Sequence, residues 1–211
     1  MLLFWGVFRW FRRTLYIVIA GLFAYLVVTS VQVVTASRAP QAVAAAPRAA
    51  AVVVIGTAVG RKGIPTDVRA RCSQAAALFH AGRTKQIVTT GGRAASGDQL
   101  EAAVLARCLV ADAVPKRAIT ELPISTVPAQ LQAVSQLYPK SSGQSVIIVA
   151  DPLETKWLLG VASASGLKAE ASPAPAPKGS FLGTVGHIWD QSLAVGFGRV
   201  FGFQNTGWVS G

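Results

Sequence analysis

The sequence predicts an α/β fold, a doubly wound, Rossmann-like parallel sheet of about five strands preceded by one N-terminal transmembrane helix. Two observations predict it. Between residues 51 and 172, short apolar runs alternate with segments of helical periodicity, the pattern of a parallel sheet covered on both faces. Upstream, 24 uncharged residues run from Thr14 to Ser37, which is long enough to cross a bilayer.

The apolar N-terminal segment is most hydrophobic over the 20 residues from Leu15 to Val34. As a helix this stretch measures about 30 Å, which matches one bilayer core. We expect a basic tail over residues 1–14, a transmembrane helix over 15–36 and an Ala/Pro linker over 37–50 that lifts the domain off the membrane. The length favours a permanent anchor over a signal peptide, but small residues in "ASRAP" and "AVAAAP" leave cleavage open.

The charge distribution predicts the orientation of the span. Arg9, Arg12 and Arg13 precede it closely, which by the positive-inside rule places the N-terminus in the cytoplasm and the domain on the outer side of the cell membrane. The net charge is +11, yet residues 1–66 hold seven basic side chains and no acid, against 13 basic and nine acidic ones over 67–211. The basic charge thus reflects topology. We expect membrane lipid around residues 15–36 as a partner, and no nucleic acid.

The α/β domain is expected over residues 51–176. Its strands are predicted from apolar runs bounded by glycine or polar residues, at 51–56, 86–92, 118–122, 145–150 and 168–172. Its helices are predicted from inward apolar positions at helical spacing, at 65–82, 98–112, 125–138 and 151–166.

The tail, residues 177–211, contains a glycine-rich amphipathic segment at 181–203. Five glycines weaken it as a helix at about 1 kcal/mol each, and two placements remain open, packing on the domain or lying on the bilayer surface. One face carries its large apolar side chains, which are Val185, Trp189, Leu193, Phe197, Val200 and Phe201.

Cys72 and Cys108 fall at apolar positions of predicted helices. Either they form a disulfide in an oxidising exterior or they remain small buried hydrophobes. These two cysteines and the distant His80 and His187 make no metal-ligand spacing, so no metal site is expected.

The candidate ligand site follows from the fold class, because open α/β sheets bind ligands beyond the carboxyl ends of their strands. The loops there read "GTAVG", "TTGGR", "ISTV" and "ADPLE". Glycines let the backbone approach a ligand, and free helix N-termini suit an anion. No catalytic role is assigned. The candidate ligand-binding residues in these loops are Gly56, Thr57, Ala58, Thr90, Gly91, Gly92, Thr126, Asp151 and Glu154. Two more candidates lie on predicted helices: Arg71, on the inward half of the first helix, is expected as a pocket or ion-pair residue, and Glu101 is near the start of the second.

Several of these candidates have two interpretations. In "DPLE", Asp151 is predicted as a helix N-cap and Glu154 as the residue that returns a hydrogen bond to it, or both acids belong to a site. Glu101 is likewise either a capping-box partner of Asp98 or a pocket acid. Thr126 is expected as a cap.

The order of "VVVIGTAV", "RARCSQAAALFHAGR", "IVTTGGR" with "LEAAV", "ST" and "VIIVADP" over residues 50–175 resembles the YdcF-like family of bacterial envelope proteins, which includes SanA and ElyC. The chain is most similar to its membrane-anchored actinobacterial members. The resemblance implies a doubly wound sheet and a role in envelope integrity, peptidoglycan-precursor or lipid-carrier metabolism. S-adenosylmethionine is a possible cofactor through this resemblance only, and no other cofactor is expected.

The chain departs from the family pattern at three places. After the fourth strand, Glu154 stands at the family His position and Trp157 at the Arg position. An Asn is expected near Ala129, and an Arg-Glu pair in the tail is replaced by Asp190 and Gln191. The loss of His and Arg disfavours family-type catalysis.

Three functions therefore remain open. The chain is expected to bind a small anionic or lipid-linked ligand of cell-wall metabolism. Alternatively, it is a catalytically silent paralogue that acts as an interaction or scaffold module, or an enzyme that binds S-adenosylmethionine.

Overall fold

The computed structural model describes residues 2–37, 43, 46–56, 64–93, 99–175 and 181–203. An α/β fold and a five-stranded all-parallel sheet are confirmed. The strands are β1 (Ala51–Val54), β2 (Ile87–Thr90), β3 (Ile119–Leu122), β4 (Val146–Val149) and β5 (Ala169–Ala171). The helices are α1 (Leu2–Ser37), α2 (Thr66–His80), α3 (Glu101–Ala111), α4 (Val127–Leu137), α5 (Thr155–Ala164) and α6 (Phe181–Phe201).

The strand order is β3-β2-β1-β4-β5, so the direction of the chain through the sheet reverses between β1 and β4. These two strands are wholly buried, as their continuous apolar sequence predicts. Side chains alternate between the faces. Val52 and Val54 pack with α2 and α3, while Val53 and Ile55 pack with α4, α5 and α6.

The structure joins Cys72 of α2 to Cys108 of α3 as a disulfide, with the Cα atoms 6.2 Å apart. Both cysteines are at most 2% exposed. The two interpretations open from sequence are thus resolved in favour of the bridge, because α2 and α3 lie side by side on one face of the sheet and their cysteines meet across the contact.

The N-terminal helix α1 is longer than the predicted span and includes the basic tail. In the described part of the chain it is the one helix long and apolar enough to cross a membrane, over Arg12–Gln32. Most of this stretch is exposed, whereas Thr29 near its end is fully buried. The domain therefore leaves most of the apolar surface of α1 uncovered. It covers α1 only where the C-terminal part of the helix meets α5 and α6.

The residues after α1 do not act as a free spacer where they are described. Val43, Ala46 and Ala49 pack against the face that α2 and α3 cover, and the Ala50 amide donates to the Ser145 carbonyl at 2.8 Å. Small apolar side chains make this possible, since they bury without leaving polar groups unpaired. The described residues of the expected linker therefore pack onto the domain.

Candidate functional site

The carboxyl ends of β1 and β2 come unusually close together. Gly56 follows β1 and Gly91 follows β2. A Cβ atom on Gly56 would lie 2.9 Å from the Gly91 Cα and would overlap the Thr90 carbonyl oxygen. Gly91 also has φ of +130°, which side chains disfavour. Only glycine fits here, and the two residues form the floor of the candidate site.

Arg71 projects from α2 to this edge of the sheet. Its side chain is only 3% exposed. Its Nη1 donates to the Ile55 carbonyl at 2.9 Å, and its Nη2 donates to Glu154 Oε2 at 3.3 Å. The prediction that Arg71 is a pocket or ion-pair residue is confirmed as to the ion pair. The pair joins α2 to the segment that follows β4, across the point where the strand order reverses.

Glu101 lies against the two glycines at the same edge of the sheet. It is the first residue of α3, and its Oε2 would be 2.7 Å from a Cβ on Gly91 and 2.9 Å from one on Gly56. Burial raises the pKa of Glu101 above its ordinary value of 4.5, and the charge of Arg71 lowers it in part. The carboxyl therefore sits on the glycine floor within the field of Arg71, and it binds a proton more readily than an exposed glutamate.

The two acids of "DPLE", Asp151 and Glu154, make different contacts. The predicted N-cap role of Asp151 is wrong, because Glu154 occupies the N-cap of α5 and makes no side-chain cap bond. Asp151 Oδ1 instead accepts a hydrogen bond from the Leu153 amide at 2.9 Å, which closes a local turn ahead of the helix. The Glu154 carboxylate forms an ion pair with Arg71 through Oε2, a contact that the capping interpretation did not include. The regular part of α5 begins only at Thr155. The turn before it carries Glu154 toward α2.

Glu101 is also not the third residue of a capping box. Helix α3 begins at Glu101 itself, with Leu100 at the N-cap, and Asp98 lies outside the described residues. The Glu101 and Ala102 amides donate to the Gly92 and Gly91 carbonyls. The expected free N-terminus for an anion is therefore absent at α3, because the preceding glycine loop folds back onto it.

Thr90 and Gly92, two further candidates, make contacts that hold the fold together. The Thr90 hydroxyl lies 3.2 Å from the Val54 carbonyl and 2.7 Å from Gln130 Oε1, and a Cβ on Gly92 would overlap Ser125 Oγ. Thr126 stands at the N-cap of α4 without a side-chain cap bond and is exposed, away from Arg71. Thr57 and Ala58 lie outside the described residues.

Sequence reasoning missed Gln130. It is 1% exposed, and its Nε2 donates to the Ile124 carbonyl at 2.9 Å, so it ties α4 to β2 and to the loop after β3. The signal was present, because Gln130 falls on the inward stripe with Val127, Leu131 and Val134. A polar residue at an inward position needs a buried partner.

Trp157, at the family Arg position, is 2% exposed in the core and presents no cation. The cluster of described residues therefore holds one cation, Arg71, and two carboxylates, Glu101 and Glu154. Across the described residues, no three His, Cys, Asp or Glu side chains come together as a metal site requires. The arrangement can accept hydrogen bonds through Glu101 and exchange a proton there.

Comparisons with family models, with curated proteins and with solved structures returned no match. The resemblance to the YdcF-like family thus rests on the order of the sequence motifs alone.

Proposed function

We propose that the chain is a single-span protein of the cell membrane whose α/β domain, doubly wound and Rossmann-like, lies outside the cytoplasm and binds a small polar or lipid-linked ligand of the cell envelope. The observation that carries the proposal is the meeting of Arg71, Glu101 and Glu154 over the glycine floor. In α/β sheets whose order reverses, this edge is the usual place for a ligand.

Two observations support the location. The exposed apolar stretch Arg12–Gln32 is long enough to cross a bilayer, and its basic flank favours a cytoplasmic N-terminus. The Cys72–Cys108 disulfide favours an oxidising compartment for the domain, since cytosolic thiols are kept reduced.

The cost of the charged cluster supports a binding role. Desolvating charges costs free energy that a pair regains only in part, so a buried ion pair contributes little net stability. Perturbed carboxyl groups gather at functional sites for this reason. Glu101 has no role as a helix cap that would account for its place on the glycine floor.

The charge balance refines the ligand chemistry expected from sequence. Arg71 already bonds to Ile55 and Glu154, so it is not an open anion receptor. Glu101 accepts hydrogen bonds. We therefore propose that hydroxyl or amine groups of the ligand, such as those of a sugar or amino sugar, donate to Glu101, while any phosphate of a lipid-linked ligand lies farther from the floor.

A second candidate is acid–base catalysis at Glu101. The raised pKa of its carboxyl favours proton exchange closer to neutral pH than an ordinary glutamate allows. The scaffold hypothesis and the S-adenosylmethionine hypothesis remain alternatives, with no described contact that favours either.

Native mass spectrometry of the full chain, extracted in mild detergent from its own envelope, tests the proposal. We expect a retained ligand mass in the wild-type protein and a loss of affinity of about tenfold or more in Glu101→Gln, the equivalent of one hydrogen bond to a charged group. Glu170→Gln is the matched control, because Glu170 is an exposed acid on β5. Thermal shifts against phosphorylated cell-wall intermediates and S-adenosylmethionine identify the ligand class.

The outcomes separate the hypotheses. Equal ligand retention in Glu101→Gln and Glu170→Gln would remove Glu101 from the site. An empty wild-type protein that responds to none of the compounds would favour the scaffold hypothesis.

A further inference from the structure

Helix α6 crosses α1 and contacts it through polar groups. Tyr25 Oη donates to the Gly196 carbonyl at 3.4 Å, and Ser30 Oγ donates to Ser192 Oγ at 3.0 Å. Ser192 and Gly196 are four residues apart, so they lie on one face of α6. Small residues at this spacing let helices approach closely, as they do within membranes. We call this contact the α1–α6 seam.

The buried face of α6 is not the face that carries its largest described apolar side chains. Ser192, Ala194 and Val195 are at most 1% exposed, whereas Trp189, Phe197 and Val200 are 48%, 40% and 67% exposed. Among the described side chains of α6, Ser192, Ala194 and Val195 face the domain, while Trp189, Phe197 and Val200 face outward. In water this arrangement is unfavourable.

An apolar groove of about 300 Å³ runs along the seam. Its walls are Leu22, Tyr25 and Leu26 of α1 and Leu193, Phe197 and Val200 of α6. On α1 the groove continues into exposed apolar side chains such as Phe23 and Ile19. The groove is therefore continuous with the surface that a bilayer would cover.

The position of the seam along α1 sets its depth. Its contacts on α1 run from Tyr25 to Gln32, and the apolar stretch ends at Gln32. At 1.5 Å per residue these seven steps correspond to about 10 Å. A helix at this depth lies at the boundary of headgroups and acyl chains, where amphipathic helices bind. Because α6 follows the domain, this is the leaflet on the side of the domain.

A cation stands at the outer rim of the groove. Arg199 Nη2 donates to Gln32 Oε1 at 2.7 Å, and Arg199 is exposed. Asp190 is nine residues away, on the opposite side of α6. The rim thus offers a positive charge at headgroup level above an apolar channel, which complements a phosphate joined to an acyl chain.

We propose that the α1–α6 seam binds one phosphate-bearing membrane lipid of the leaflet on the side of the domain, with an acyl chain in the groove and its phosphate at Arg199. This inference rests on the membrane anchoring proposed above, but not on the ligand at Glu101. Bound lipid covers the outward apolar face of α6 and holds α6 and the domain against the bilayer.

The test uses the full chain in nanodiscs of phosphatidylglycerol that carry a small fraction of a phospholipid with a photoreactive diazirine in its acyl chain. We expect labelled peptides from Leu15–Phe23, from the groove residues of α1 and from Leu193–Val200 of α6. In native mass spectra of the protein released from these nanodiscs, Arg199→Gln should retain about fivefold less phosphatidylglycerol, the effect of one cation at a membrane surface.

Arg107→Gln is the matched control, because Arg107 is also exposed and also donates to a glutamine, Gln99. It should retain lipid as the wild type does. Label on Leu15–Phe23 without label on α6, equal lipid retention in Arg199→Gln and Arg107→Gln, or a dimer mass with the groove unlabelled would each overturn the lipid site and leave the anchor intact. No label on α1 at all would overturn the membrane anchoring as well.

Discussion

The carboxyl edge of the sheet and the α1–α6 seam both bury polar groups, but of different kinds. At the sheet edge they include charges, namely the buried Arg71 with the partly buried Glu154 and Glu101. At the seam they are hydroxyls. Thr29 and Ser192 each donate to the carbonyl four residues earlier in their own helix, at 2.8 and 2.7 Å.

The two regions differ in how much free energy it costs to bury their polar groups. A hydroxyl bonded to its own helix is satisfied locally, so burying it costs little. A charge requires a partner from another element and still loses hydration. The seam thus suits packing against apolar surroundings, whereas the sheet edge retains charge at the expense of stability, as functional sites do.

The largest expected effect on stability comes from removing the ion pair at the sheet edge. Arg71→Ala removes the ion pair with Glu154 and the hydrogen bond to the Ile55 carbonyl, and we expect the free energy of unfolding to fall by about 2–3 kcal/mol, the cost of losing a hydrogen bond to a charged group. Denaturant titration of the full chain in detergent measures it. Arg107→Ala, at an exposed position, should stay within about 0.5 kcal/mol of the wild type.

A double-mutant cycle with Glu154→Gln measures the coupling between the two residues, and we expect the double variant to lose less than the sum of the two single losses. A loss in Arg71→Ala no larger than in Arg107→Ala would show that the Arg71–Glu154 pair is not desolvated.

A second substitution, Glu101→Gln, is expected to stabilise the fold, and the size of its effect depends on pH. Burial raises the pKa of folded Glu101 above 4.5, so the folded state keeps the proton to higher pH than the unfolded chain does. Its contribution to stability is complete below pH 4.5 and is lost as the pH rises through the folded pKa. Glu101→Gln should therefore raise the melting temperature at pH 7 and change it little at pH 4.

Circular dichroism melts at the two pH values measure this effect, with Glu170→Gln as the exposed control. A lower melting temperature of Glu101→Gln at pH 7 would mean that attraction to Arg71 outweighs desolvation, and that Glu101 stabilises the fold.

The smallest expected effect on stability concerns the uncharged polar groups of the α1–α6 seam. Ser192→Ala removes one hydroxyl contact across the seam, and we expect a loss of about 0.6 kcal/mol, the average for side-chain hydrogen bonds between membrane helices. Thermal melting of the full chain in detergent checks it against Ser135→Ala, an exposed-side serine of α4 that bonds within its own helix. A loss of several kcal/mol would mean that the seam depends on polar contacts as strongly as the sheet edge does.

Much of the candidate site was predictable because loops after parallel strands converge at one edge. This placed Gly56 and Gly91 together from the sequence, whereas Arg71 was a candidate from its inward position on a predicted helix and from the family resemblance. The pairing of Glu154 with Arg71 was not predictable, since a capping box and an ion pair use the same "DPLE" letters. What decided between them was the short turn before α5, which directs Glu154 toward α2.

By itself, the sequence determined the order of strands and helices, the apolar N-terminal helix and the glycines at the carboxyl edge of the sheet, because hydrophobic periodicity and glycine positions act locally along the chain. Only the tertiary structure decided the Cys72–Cys108 pairing, the partner of Glu154 and the outward face of α6. Each of these depends on which distant element lies opposite, and side-chain periodicity does not encode that. For α6 the small residues Ser192 and Gly196 permit a closer approach to α1 than its large apolar side chains allow.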